Sequence, residues 1–253
     1  MKIGFIGCGV VGGALVDWFK KNIPEKTYVR YDPGLNLLGK IGGCGVVFVS
    51  VPVPTLEDGS QDLSIITESL KLLGNYCQVF IRSTVMPGTC DKLQSQFPHL
   101  GVYSMPEFLT ERSAQEDMDE LPIIIGAGQE LQWARNLFRH KKSILLLGSN
   151  KSAELVKYTH NCFLAMKVTY FNSIKEICAR EGIKYESIRR GLKVTTFVGE
   201  DHTLVPGPDG NYGYGGKCFP KDVKAFKAIG EVSEIMSLVD RQNDVFRLKG
   251  KKD

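Results

Sequence analysis

The chain has 253 residues, 43% hydrophobic and 24% charged, with a formal net charge of +4. These are ordinary globular values, sized for one large or two modest domains, and the mild positive charge permits an anionic small ligand. The Lys and Arg residues are scattered apart from a basic tail, Lys249 to Lys252, which argues against a nucleic-acid-binding protein, and no apolar run approaches the ~20 residues of a membrane span.

The N-terminus reads KIGFIG, a short buried strand that runs straight into a glycine turn with no small-residue cleavage site. No secretory leader is expected, and the location expected is the cytoplasm. Gly7-Cys8-Gly9-Val10-Val11-Gly12 follows, and then an apolar helix pattern through Ala14, Leu15, Trp18 and Phe19. Strand, GxGxxG and helix are the context of a dinucleotide-binding turn. The first glycine makes the turn, the second lets the backbone approach a pyrophosphate, and the third lets helix and strand pack. The N–H groups at the helix start then face phosphate. A second strand over 27–31 ends in Asp32, twenty positions after Gly12. A carboxylate there accepts hydrogen bonds from ribose hydroxyls and repels a 2′-phosphate, so NAD is favoured over NADP. The alternative is that Asp32 merely opens the turn before Pro33-Gly34.

Strand and helix patterns then alternate. Residues 46–51 form a near-continuous apolar run, as in a parallel strand covered on both faces. Residues 62–73 read as a helix with Asp62 or Ser64 as cap and Ile65, Ile66, Leu70 and Leu73 buried. Strands are expected over 78–81, 101–105, 122–125 and 144–147, with helices over 90–97 and 129–139. This spacing implies a doubly wound parallel sheet over residues 1–148, whose ligands bind at the carboxyl ends of strands. Those ends are Val51-Pro52-Val53-Pro54, Arg82-Ser83-Thr84 and Met105-Pro106-Glu107.

From about residue 149 the pattern changes to an all-helical domain extending to 253. Residues 152–182 carry no Pro or Gly before Gly182, and Leu155, Tyr158, Cys162, Leu164, Ala165, Val168, Phe171, Ile174 and Ile177 recur at helical spacing. One long central helix is expected, of a kind that forms a spine or a subunit interface. A homodimer through it, with Phe163, Tyr170 and Phe171 as contacts, is the expected assembly. A short helix over 185–192, a glycine-rich functional loop over 195–217 and helices over 221–229 and 231–246 follow.

The segment GYGGKCFPKD places Cys218 at a helix start, where a thiol pKa falls, and Asp222 one turn later. Lys157 and Asn161 share a face of the long helix, and Glu107 and Glu111 follow a strand end. A thiolate, a lysine, an amide and a carboxylate beside NAD suit covalent oxidation of an aldehyde, through a thiohemiacetal to a thioester. On spacing alone, a Lys/Asn pair such as Lys157 and Asn161 is usually a solvated face, a cysteine such as Cys218 is usually a small residue that fits, and nothing brings these pieces together. The other cysteines, without a CxxC pair or a Cys/His cluster, read as reduced thiols, and no metal is expected.

Taken together, the ordered segments VPVP (51–54), RSTVMPGT (82–89), PEFL (106–109), AELVK through Asn161 (153–161) and GYGGKCFPKD (213–222) resemble the UDP-glucose/GDP-mannose dehydrogenase family over nearly the whole chain. The resemblance implies that Cys218 is the nucleophile, that Lys157 and Asn161 stabilise its oxyanion, and that Asp222 assists proton transfer through water. It places Thr84 and Glu111 near the cofactor and a catalytic water, and gives Glu107 a part in thioester hydrolysis. Gly7, Gly9, Val10, Val11, Gly12, Asp32, Val51 and Pro52 fall to the cofactor. Phe108, Leu109, Tyr214 and Gly215, with Lys157 and Asn161, fall to a nucleotide sugar, UDP-glucose first among candidates. The reaction implied oxidises the C6 alcohol to a carboxylate and reduces two NAD.

Three departures stand out. Relatives usually continue into a further nucleotide-holding domain, so a separate chain supplying that half is one expectation. The resemblance places an arginine that reaches a neighbouring subunit sixteen positions before the nucleophile, where this chain has His202. Val53 stands where relatives often carry threonine. Two other readings compete. One is a β-hydroxyacid-type dehydrogenase, which needs no cysteine. The other is a non-catalytic NAD-binding relative that needs a partner chain.

Overall fold

A computed structural model describes residues 1–127 and 131–249. It separates into two compact units: residues 1–54 with 61–157, and residues 55–60 with 158–253.

In the first unit, β1 (Lys2–Ile6) leads through α1 (Val10–Asn22) to β2 (Thr27–Asp32) and the two-residue β3 (Leu37–Leu38). Then come β4 (Val46–Val49), α2 (Ser64–Lys71), β5 (Gln78–Ile81), α3 (Thr89–Gln96) and β6 (Gly101–Ser104). The six strands form one sheet in the order β3-β2-β1-β4-β5-β6, parallel except where β3 turns back on β2. Strand residues alternate between two cores. Ile3, Phe5, Val46, Phe48 and Phe80 face Leu15, Trp18 and Phe19 of α1. Ile6, Val47, Val49, Val79 and Ile81 face Ile66 and Leu70 of α2 and Leu93 of α3. Two covered faces explain why the strands read as continuous apolar runs. The register Phe5↔Phe48↔Phe80 stacks three rings across adjacent strands, at centroid separations of 5.5 and 5.2 Å. Each such pair adds about 0.5–1.5 kcal/mol beyond burial.

The unit continues through α4 (Ala114–Glu120), β7 (Ile123–Gly126), α5 (Gln132–Leu137) and β8 (Ile144–Leu147). Among the described residues, β7 and β8 form a separate two-stranded parallel sheet beside the six-stranded one. In the expected helix over 129–139, residues 129 and 130 lie outside the described residues, as do 250–252 of the basic tail.

The helix α6 (Asn150–Arg180) is 31 residues long, about 46 Å. Its first turns are tied into the first unit: Asn150 Oδ1 accepts the Ser104 N–H at 2.8 Å, and its amide donates to Asp91 Oδ1 at 3.0 Å. From Tyr158 onward α6 belongs to the second unit, with α7 (Tyr185–Thr195), α8 (Phe219–Phe226) and α9 (Gly230–Lys249). Phe171, Cys178, Tyr185 and Val205 form one core cluster there.

Several expected faces differ from those found. Ile65, Leu155 and Ile177 are 42%, 44% and 42% exposed, so helical spacing drew the apolar stripes too wide. Phe171 is buried in its own unit and cannot serve as a subunit contact, whereas Phe163 and Tyr170 are exposed. The helix expected from 221 begins at Phe219, with Pro220 in its first turn where a missing N–H costs nothing.

Candidate functional site

The glycine turn is built by three glycines with different reasons. Gly7 has φ +79°, and a Cβ there would stand 2.5 Å from the Ser50 carbonyl oxygen. A Cβ on Gly12 would fall on the Gly7 carbonyl oxygen. Gly9 is exposed, and a Cβ on it would meet nothing within 4 Å. The chain itself therefore gives no reason for glycine at position 9, which is what a ligand approaching the backbone would require. Val10 and Val11 open α1, and no acidic residue occupies its first turn. Asp32, at the end of β2, accepts the Cys8 N–H through Oδ2 at 2.7 Å. It lines a cavity of about 450 Å³ with Gly7, Tyr31, Val51, Pro52, Ile65 and Leu72, a volume in the range of small-molecule sites. The hydroxyl of Ser50, at the end of β4, is buried with no hydrogen-bond partner. An open glycine, a carboxylate at the cavity wall and an orphaned hydroxyl fit a dinucleotide.

At the carboxyl ends of β5 and β6 the first unit buries charge. The Lys157 ammonium donates to Glu107 Oε1 at 3.3 Å, with both side chains under 10% exposed. Glu107 Oε2 accepts the Leu109 N–H at 2.7 Å, and Lys157 lies 5.2 Å from the centroid of the Phe108 ring. Arg82 is buried beside them, and burial lowers its pKa to about 10 while Glu107 opposes the shift. Thr84 is half-buried, and its carbonyl accepts the Gln61 amide at 3.1 Å. Glu111 lies exposed on the turn after Thr110.

In the second unit, Asn161 on α6 donates to Asp222 Oδ2 at 2.6 Å, and both are at least 97% buried. Lys221 approaches the other carboxylate oxygen at 2.5 Å. Cys218 occupies the cap position of α8, and its carbonyl accepts the Asp222 N–H at 3.0 Å, so thiol and carboxylate sit one turn apart. Cys218 is exposed. The contrast with Cys162 is sharp: burial, helped by Asp222, pushes that thiol up to about 12. Tyr214 is 3% exposed with its hydroxyl donated to Asp240 Oδ1 at 3.1 Å, and Gly215 is half-buried against the Arg247 guanidinium. His202 takes a left-handed backbone (φ +62°), stands 5.7 Å from the Phe219 ring, and buries Nδ1 without a partner.

Residues 35–141 match the NAD binding domain, and residues 151–244 the central domain, of the UDP-glucose/GDP-mannose dehydrogenase family. The chain belongs to this family. The cofactor implied by the first of those domains is NAD. The UDP-glucose 6-dehydrogenase of Pseudomonas aeruginosa is 34% identical over 224 residues, covering 78% of this chain and 48% of that protein. The Rickettsia felis UDP-glucose 6-dehydrogenase is 29% identical, covering 86% and 50%. The chain thus spans about half the length of the curated relatives it matches. Among solved structures, a UDP-glucose dehydrogenase of Pyrobaculum islandicum has a TM-score of 0.82 at 26% identity, covering 96% of this chain and 68% of the other. A Mycobacterium tuberculosis 3-hydroxyisobutyrate dehydrogenase, at TM-score 0.74 and 16% identity, covers 99% and 94% and shows the shared fold alone.

The motifs gave a role to most of these positions but none to Glu154, although it stands in the AELVK segment. Its buried carboxylate accepts the N–H groups of Gly88 (2.5 Å) and Cys90 (2.8 Å), fixing the turn that follows Thr84. Asn243 was missed too. A polar residue in the buried series Met236, Val239, Asn243 and Phe246 was the available signal.

Proposed function

We propose that this chain carries the cofactor-binding and catalytic parts of an NAD-dependent nucleotide-sugar dehydrogenase, oxidising the C6 alcohol of UDP-glucose to UDP-glucuronate. The observation that carries the reading is the buried Asn161–Asp222 pair one helical turn from the exposed Cys218. Residues 1–148 would bind NAD, and 149–253 would hold the sugar and form a homodimer, with Phe163 and Tyr170 of α6 as contacts. A further domain, carried by another chain or by sequence beyond these residues, would hold the nucleotide.

In this reading Gly7, Gly9, Gly12 and the N–H groups of Val10 and Val11 receive the pyrophosphate, Asp32 the adenosine ribose, and Val51, Pro52, Thr84 and Glu111 the remainder of the cofactor. When bound, NAD accepts two electrons at each of the two oxidation stages. The Cys218 thiolate adds to the C6 aldehyde, and its sulfur–carbon bond forms as the carbonyl π pair moves to oxygen. The resulting thiohemiacetal oxyanion is stabilised by the Lys157 ammonium and the Asn161 amide. Asp222 holds that amide in one orientation and relays the departing proton to water. After the second oxidation stage Cys218 carries a thioester. Glu107 assists its hydrolysis: it takes a proton from the water whose oxygen bonds to the acyl carbon, the thiolate leaves, and the acid so formed loses its remaining proton to solvent and is released as the carboxylate. Phe108, Leu109, Tyr214 and Gly215 would hold the sugar nucleotide.

The test is NADH formation with NAD and UDP-glucose, counted per sugar consumed. Two NADH per sugar is the expected ratio. A chain that binds NAD but forms no NADH with any nucleotide sugar, even with the nucleotide-holding domain supplied, would overturn the reading. Retained turnover in Cys218→Ala would favour a β-hydroxyacid-type reaction.

A further inference from the structure

The glycine-rich segment before Cys218 is held from behind by one face of α9. Asp240, Asn243 and Arg247 are spaced three and four residues apart, so they share that face. Asn243 is 5% exposed, and its side-chain amide pairs with both main-chain groups of Tyr214. Oδ1 accepts the Tyr214 N–H at 2.6 Å, and Nδ2 donates to the Tyr214 carbonyl at 3.1 Å. Gly213 has φ +71°, and a Cβ there would fall on Asn243 Oδ1. Its own N–H is taken by Asn172 Oδ1 at 3.0 Å, from an α6 residue 1% exposed. Asp240 accepts the Tyr214 hydroxyl through one oxygen and the Lys227 ammonium, at 2.7 Å, through the other. The Tyr214 ring meets the Phe219 ring edge-on, at 6.3 Å, and Phe219 is the residue after Cys218.

Such a device has a cost. Two buried asparagine side chains must be ordered and fully paired to hold a loop with no regular structure, where apolar packing of α9 would have been simpler. The geometry points to a positioning role: Asn243, seconded by Asn172 and Asp240, fixes the main chain at 213–214 and through it the place of the Cys218 thiol. Asn243 touches no reacting atom. It acts through the loop. The role in turnover rests on the dehydrogenase reading above, whereas the effect on the thiol does not.

The test is Asn243→Asp, which keeps size and shape but replaces the donor to the Tyr214 carbonyl with an acceptor. Four quantities are read on protein whose circular dichroism and unfolding midpoint show it folded. These are the rate of Cys218 alkylation by iodoacetamide at neutral pH, the Kd for NAD, and kcat and KM with UDP-glucose. A displacement of about 1 Å at a reacting group costs on the order of a hundredfold. The expected result is kcat lower by about ten- to a hundredfold, alkylation at least about threefold slower, and an unchanged NAD Kd. Should Asn243→Asp fail to fold, Asp240→Ala loosens the same loop from a half-exposed position, and the same directions are expected. A folded variant with wild-type alkylation and kcat overturns the inference. If the wild-type chain, with the nucleotide-holding domain supplied, turns over no nucleotide sugar, slower alkylation in the variant still supports the positioning role while the dehydrogenase reading falls.

Discussion

Replacing Asp222 by alanine removes the acceptor of a buried hydrogen bond and should cost stability as well as activity. The carboxylate is 1% exposed and Asn161 is 3% exposed, so no water replaces the lost partner without a rearrangement. A buried hydrogen bond to a charged group is worth about 1.5–3 kcal/mol. Lys221 is 30% exposed, so its ion pair is screened and adds less than about 1 kcal/mol. The expected loss is about 1.5–4 kcal/mol. Urea unfolding followed by far-UV circular dichroism is the assay, because the loss falls in helices of the second unit. Trp18 and Trp133 both belong to the first unit, so their fluorescence reports on a different body. Asp222→Asn, which can still accept from Asn161, should lose less stability than alanine while losing activity like it. A loss below about 0.5 kcal/mol for alanine, the level of an ordinary surface change, would refute the reasoning.

Gly9→Ala should leave the unfolding midpoint unchanged, since its Cβ meets nothing in the chain, yet weaken NAD binding at least about tenfold by calorimetry. Gly12→Ala should lose both stability and NAD binding, because its Cβ falls on the Gly7 carbonyl oxygen. Limited alkylation followed by peptide mapping should label the exposed Cys218 first. Cys77 and Cys162, whose thiols burial pushes up to about 12, should stay unmodified even in mildly alkaline solution. Burial also holds the Glu154 carboxyl above its ordinary value. The folded chain therefore keeps this proton to a higher pH than the unfolded chain does. The contribution is full below the ordinary value of 4.5 and is lost as pH rises through the raised folded value. Urea midpoints across that range should fall more steeply with pH in the wild type than in Glu154→Gln.

The sheet and its cofactor turn were legible because their determinants are local. Strand, glycine turn, helix and the acid at the next strand end lie within about thirty residues, and alternation along β1, β4 and β5 assigns each side chain to a face. The pairing of β7 with β8 alone was not legible, since periodicity marks strands but not their neighbours. Ile65 shows another limit: helical spacing put it with Ile66 and Leu70, but it stands at the wall of the cavity lined by Asp32. In the site, Cys218 and Asp222 could be placed one turn apart from sequence. Asn161 and Asp222, sixty-one positions apart, could be joined only by resemblance or by the fold. Glu154, which reaches back 66 positions to Gly88 and 64 to Cys90, and Asn243, which reaches back 29 to Tyr214, also act through contacts that local spacing does not reveal.

The six residues 55–60 carry a consequence for anyone dividing this molecule. They sit between β4 and α2 in sequence but cluster with the second unit, where Thr55 donates to the Lys221 carbonyl at 3.3 Å. Gly59 lies so close to α8 that a Cβ there would stand 3.4 Å from the Lys224 carbonyl oxygen, and 3.2 Å from the Cβ of Ala228 just past the helix end. A fragment cut at 158 would leave this side of α8, the helix that begins beside Cys218, without its cover. Hybrids that exchange the cofactor part between relatives would have to carry the 55–60 loop of whichever partner donates α8. Inheritance of the two parts is thereby interlocked, even though each has its own core.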